Sequence, residues 1–310
     1  MGMKSFKKML PLLAAIGLLL GIFRISIPGF LTSENLMDLA QQISVNAILA
    51  YGMTLVILIG GIDLSVGAVV ALIGTITVAL LAPAGLIGAL LAGLAMAALF
   101  GAVNGVCAAR TRMPPFIITL ATMLVARGAA LRFNEGRPLP VPDSEKVFLA
   151  LGNSRLFGVL PLPVLLMAGA FVLTAVLLHR TRFGQHLYAI GSNREAARFT
   201  GIRLERHETV VYVLCALLAG LAGVIHASQL YSAEPASGQG FELNAIAAVV
   251  VGGTSFTGGI GTMPGTLLGA VIIGILDKGL NQAGVHFSLQ YIIKGLVILA
   301  AVYLDVRRRK

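Results

Sequence analysis

Of the 310 residues, 57% are hydrophobic and only 12% charged, about half the charged share of an ordinary soluble domain. A water-soluble fold of this length could not bury so much apolar surface, so the chain reads as a polytopic membrane protein. The formal net charge of +10 does not point to nucleic acid, because no tandem basic and aromatic stretches accompany it; membrane topology accounts for it better.

Taken in chain order, Lys4, Lys7 and Lys8 precede a first apolar run at 9–23. It has the outline of a signal peptide, but no small-x-small cleavage site closes it, so it reads as a retained helix. Runs of spanning character follow between charged or Pro/Gly breaks at 39–59, 66–82, 86–107, 116–131, 162–178, 209–228, 243–256, 264–281 and 289–304. The expected fold is therefore all-α, a bundle of about ten transmembrane helices. With the amino terminus inside, most basic residues fall on the cytoplasmic side, among them Arg110, Arg112, Arg180, Arg182, Arg194, Arg198, Arg203, Arg206 and the 307–310 cluster. This excess predicts that both termini are cytoplasmic. Cys107 and Cys215 lie within apolar runs and read as packing residues.

Two segments interrupt the apolar pattern at length. Residues 132–161 carry both signs of charge and prolines at 138, 140, 142 and 161. So long a loop is either functional or disordered, and on this threading it faces outward, as does the shorter stretch 229–240. The other segment, 192–201, is Ser192, Asn193, Arg194, Glu195, Ala196, Ala197, Arg198, Phe199, Thr200 and Gly201. Ser192 with Glu195 has the form of a capping box, and Gly201 suits the left-handed residue that ends a helix. Such a helix is roughly 12 Å long against a core of about 30 Å, so it belongs on a surface.

Glycines concentrate where helices should break, at Gly60-Gly61 and from Gly252-Gly253 to Gly265, beside Asp63, Ser65, Thr254 and Ser255. Irregular backbone at membrane depth survives only where it is buried in protein or lines an aqueous cavity. The candidate translocation-path residues are accordingly Asn46, Gly61, Asp63, Ser65, Asn104, Thr119, Asn244, Gly253 and Thr254. Asp63 has two readings: a functional intramembrane acid, or a cap for a helix beginning at Leu64. A faint parallel repeat relates Asn46-Ala47-Ile48 before Gly60-Gly61 to Asn244-Ala245-Ile246 before Gly252-Gly253.

The runs Gln41–Ile48, Gly52–Leu58 and Gly61–Gly67, with Phe241–Ser255, Gly258–Thr262 and Gly265–Leu267, resemble the permease subunits of bacterial ribose-type sugar importers of the ABC class. The resemblance covers about Gly29 to Asp305. It implies that 192–201 is the cytoplasmic coupling helix docking on a separate ATPase, which alone binds ATP and Mg. It further implies a homodimer in the inner membrane, a sugar path between the two copies, and a periplasmic sugar-binding protein that selects the cargo; in its functional reading, the loop 132–161 is where that protein docks. The chain itself is expected to be a single permease domain, 1–310, with no bound cofactor, metal or catalytic residue. Independently of the resemblance, no Gly-Lys dipeptide occurs, which excludes a Walker A loop, and the five histidines lack metal-ligand spacing. The alternative class is an ion-coupled sugar carrier, which should show paired acids or a carboxylate–histidine relay in its spans. The sequence offers Asp63 and, near an outer end, Asp277 beside Lys278.

Overall fold

The computed structural model describes residues 3–111 and 113–307. Arg112 and the basic residues at 308–310 lie outside the described residues, as do the side chains of Lys4, Lys7 and Lys8. The architecture is helical: α1 (Met3–Ser26), α2 (Ser33–Leu58), α3 (Val66–Arg110), α4 (Pro115–Arg132), α5 (Lys146–Asn153), α6 (Leu162–Arg180), α7 (Arg182–Ser192), α8 (Arg194–Phe199), α9 (Leu204–Gln229), α10 (Phe241–Val251), α11 (Met263–Gln282) and α12 (Phe287–Arg307). Seven of these are long and apolar enough to cross a membrane; α10 and the apolar part of α12 are shorter. The chain is thus a multi-pass membrane protein.

At 45 residues, α3 would extend for about 68 Å if straight, more than twice the hydrocarbon thickness. It does not run straight. Gly85 has φ 66° and ψ 174° two residues after Pro83, a backbone open to glycine and costly for other residues. The chain folds back there, and Gly93 of the second arm packs on Ile73 and Thr77 of the first. The separation into 66–82 and 86–107 expected from sequence corresponds to these two arms.

The apolar stretches divide by environment. In α2, 83% of the residues in the apolar window are buried within the protein, against 6% in α1; α1 lies at the periphery, packed on one side only, while α2, α9 and α11 contribute to the interior. Packing of α3 on α9 is close because small residues line it. A methyl group at Gly101 would meet Val213 Cα at 2.6 Å, and one at Gly105 would meet Thr209 Cα at 2.5 Å. Helix association in lipid relies on such close approach.

Two helix ends share one geometry. In α2, the amide of Gly60 bonds Ile57 O and that of Gly61 bonds Val56 O; after α10, the amide of Gly253 bonds Val250 O and that of Thr254 bonds Val249 O. Both are Schellman endings, with Gly60 at φ 80° and Gly253 at φ 87°. The second ending corrects the expectation of a span over 243–256. Helix α10 has only 11 residues, about 17 Å of rise, and the chain then runs irregularly to Thr262, which caps α11 by accepting the Gly265 amide at 3.2 Å.

Residues 132–161 are ordered. They contain a 3₁₀ turn (Phe133–Gly136), β1 (Leu139–Pro140), α5 and the hairpin β2 (Arg155–Leu156) to β3 (Leu160–Pro161). Strand β1 pairs antiparallel with β4 (Ser232–Ala233), which joins the segments 132–161 and 229–240 singled out from sequence into one structure. Phe148 of α5 is fully buried, and the Ser228 hydroxyl of α9 accepts from the Gly152 amide and donates to Phe148 O, both at 2.8 Å.

Candidate functional site

Helices α2, α9, α10, α11 and α12 enclose a cavity of about 420 Å³. Its place follows from the half-length α10. The segment 230–240 returns between helices instead of remaining outside, held by Arg127 of α4, whose guanidinium donates to Pro235 O at 2.8 Å and Ser237 O at 2.6 Å. Helix α10 therefore starts deep in the bundle, with Gly238 against Gly67 at the beginning of α3. Asn46 and Asn244, from the two segments of the faint repeat, both line the cavity.

A charge pair bridges α11 and α12 in the wall. Lys294 Nζ lies 2.8 Å from Asp277 Oδ1, with side-chain exposures of 20% and 14%. Asn244 Nδ2 donates to Asp277 Oδ2, and Lys294 donates to Asn244 Oδ1, both at 3.4 Å. Lys278, the neighbour of Asp277 in sequence, points elsewhere and donates to Asn35 O at 3.0 Å. Gln42, Gln229, Gln239, Asn281 and Gln290 add carboxamides to the lining, and Tyr291 a ring. Among these, the lysine and the α12 residues escape sequence reasoning, because their partners lie on other helices at no fixed spacing.

The remaining candidate path residues do not line this cavity. Gly61, Asp63, Ser65, Asn104 and Thr119 belong to a second, buried assembly around the segment between α2 and α3. Asp63 Oδ1 accepts from the Ser65 amide at 2.9 Å and its hydroxyl at 2.6 Å; Asn104 donates to the Ser65 hydroxyl at 3.0 Å; Thr122 donates to Asn104 Oδ1 at 2.6 Å. Thr119 accepts the Leu64 amide and donates to Ile62 O, both at 3.1 Å. The network ties an extended segment to α3 and α4. Helix α3 begins at Val66 with Ser65 at the cap position, so Asp63 secures the turn before the helix and is not the cap of one beginning at Leu64. Gly61 has no space for a side chain, since a methyl there would stand 2.5 Å from the Tyr212 hydroxyl. Gly253 ends α10, and Thr254, fully buried, sits against Gly261.

The polar segment after α6 forms two helices. Asn193, not Ser192, caps α8: its Oδ1 accepts the Ala196 amide at 2.9 Å, while Ser192 is the last residue of α7. The expected capping box is displaced by one residue because Asn193 takes the extended cap conformation. Gly201 adopts φ 85° after the six-residue helix. Arg194, itself about half exposed, ion-pairs with Glu208 of α9, which is 3% exposed. Ala197 is buried at 3%, whereas Glu195, Ala196 and Arg198 are exposed. Phe199 is 89% exposed, a large apolar group offered outward that the sequence reading passed over.

Helix α7 abuts both Schellman-ended breaks. Tyr188 donates to Gly261 O at 2.7 Å. Gly191 packs on Leu58 O, the same carbonyl that accepts the Gly259 amide at 2.9 Å. One carbonyl at the end of α2 is thus shared by the surface helix and the glycine-rich loop after α10.

A family model described as "Branched-chain amino acid transport system / permease component" matches residues 35–302. The chain is 45% identical over 300 residues to the ribose import permease protein of Escherichia coli (strain K12), covering 96% of this chain and 93% of that one. It is 43% identical over 296 residues to the ribose import permease protein of Bacillus subtilis (strain 168), covering 94% and 92%. With the L-arabinose transport system permease protein of Escherichia coli (strain K12) it shares 35% over 288 residues, 92% and 87% of the two chains. No solved structure matches it. With seven membrane-length helices and a family match across most of its length, the chain belongs to the branched-chain amino acid transport system / permease component family.

Proposed function

We propose that this chain is the membrane permease of an ATP-driven importer that carries a monosaccharide, ribose foremost, across the bacterial inner membrane. The observation that carries the reading is the 45% identity to a ribose import permease over 96% of the chain. The chain is a transport subunit and not an enzyme; ATP and Mg belong to a partner ATPase. In this reading the two arms of α3 cross separately, and with α12 and the inserted segment 230–240 continued by α10 they complete ten crossings, both termini being cytoplasmic. A second copy of the chain completes the path, alternating access moves the cargo, and a periplasmic sugar-binding protein docks on the joined surface of 132–161 and 229–240.

The segment around α7 and α8 is the docking element for the ATPase. Support comes from its position: two short helices outside the long apolar spans, one bearing exposed Phe199, the other wedged against the ends of α2 and the loop after α10. The ion-coupled carrier receives no such support, since Asp277 is neutralised by Lys294. Reconstitution of the chain with its ATPase and binding protein in proteoliposomes tests the function. ATP-dependent uptake of labelled ribose is expected; uptake driven by an ion gradient in the absence of the ATPase would overturn it.

A further inference from the structure

Two polar atoms on residues of the cavity wall have no hydrogen-bond partner within the chain and need only a side-chain rotation to face the cavity. Asn46 Oδ1 and Gln229 Nε2 are shielded from solvent without a hydrogen-bond partner, although both residues line the cavity. Buried polar groups are ordinarily paired, so each exception calls for an explanation. One is an acceptor and the other a donor, and a hydroxyl group satisfies both kinds at once.

Charge narrows the class of ligand. The carboxylate and ammonium in the lining, Asp277 and Lys294, are already paired at 2.8 Å and share Asn244 between them. An ionic ligand would have to break that buried pair, which is costly. A neutral polyhydroxyl molecule leaves it intact and finds carboxamides at Gln42, Gln229 and Gln290, with the Tyr291 ring offering an apolar face. The volume of about 420 Å³ falls within the roughly 300–1,000 Å³ of small-molecule sites.

We propose that this cavity is a transit station for a neutral polyol of monosaccharide size, with Asn46 and Gln229 as its hydroxyl-reading residues and the Asn244–Asp277–Lys294 cluster as a charge-neutral wall. Few groups are left to be satisfied by the ligand, so binding is weak, as passage requires. The proposal rests on the transport reading above. It excludes the zwitterion of a branched-chain amino acid, which would need the two charges freed from each other.

Two measurements test it. In the complete complex, Asn46→Ala and Gln229→Ala should each lower the maximal rate of ribose uptake roughly three- to tenfold, the scale of one lost hydrogen bond. Half-saturation, governed by the binding protein, should stay in place. Separately, Asn46→Cys in a background lacking Cys107 and Cys215 should react with a water-soluble thiol reagent, and millimolar ribose but not leucine should slow that reaction. Gln42→Cys on the exposed rim gives the same readout if the first variant does not assemble. Protection by leucine, or no protection together with alanine variants that transport within twofold of wild type, would overturn the station. If the wild-type complex carries ribose in that case, the transport reading stands alone. If the wild type carries no monosaccharide while ribose still protects the thiol, the site stands and the transport reading falls.

Discussion

Tyr188 is where a single atom joins the surface helices to the membrane interior. Its hydroxyl donates to Gly261 O at 2.7 Å, and burial pushes its pKa from the ordinary 10 up to about 12. The folded state therefore holds the phenolic proton more tightly than the unfolded chain does. The contribution of the buried neutral phenol is complete below pH 10 and is lost as pH rises through about 12. Tyr188→Phe should cost about 1 kcal/mol at neutral pH, and the gap in melting temperature between wild type and variant should close between pH 10 and 12. A gap that persists unchanged at pH 12 would mean that the ring's packing, not its hydroxyl, is what matters there.

At the scale of elements, the exposure pattern of α8 redistributes the roles that its sequence suggests. Ala197 looks like a small residue for close approach to a partner, yet it is buried within the chain, and Arg194 is occupied by Glu208. The outward groups are Glu195, Ala196, Arg198 and Phe199. Phe199→Asp should thus leave insertion and the chain's own packing intact while abolishing co-purification with the ATPase, whereas Ala197→Glu should disturb α8 itself by overpacking. If Phe199→Asp keeps its ATPase and transports normally, the motor docks on another face, such as the segment 110–115. Legibility followed the same division. The fold-back of α3 was readable because Pro83 and Gly85 break an apolar run locally, and Gly201 because a left-handed residue favours glycine. The span drawn to residue 256 overruns the break that Gly252-Gly253 itself marks, because the apolar run ending at Val251 is too short to cross a membrane unless it is carried on through Thr254 and Ser255. Asp277 was visible as an intramembrane acid, but its partner was not. Sequence adjacency suggested Lys278, and only the packing of α12 brings Lys294 to it.

For the whole molecule, the two short polar helices and the cavity sit at opposite ends of the same elements. Helix α2 passes from Asn46 in the cavity wall to Leu58 beneath α7, 12 residues later, a distance of about 18 Å. Helix α10 runs alongside it in the same direction and ends in the same cap. A displacement of α7 by a docked ATPase would press on Leu58 and Gly259 together and so reach both helices that carry the cavity asparagines. Thiol labelling in a background without Cys107 and Cys215 tests this arrangement. Asn46→Cys and Asn244→Cys should label at rates that change when the assembled complex binds nucleotide, while Ser65→Cys and Thr254→Cys, at 1% and 0% exposure, should stay unreactive in the arrangement seen here. In intact cells, Asp143→Cys should react with an impermeant reagent and Phe199→Cys only after permeabilisation, as opposite membrane faces require. Labelling of Phe199→Cys from outside would invert the topology and remove the docking face from the cytoplasm. Nucleotide-independent labelling at both asparagines would mean that α7 moves without carrying α2 and α10, leaving the shared Leu58 carbonyl as packing alone.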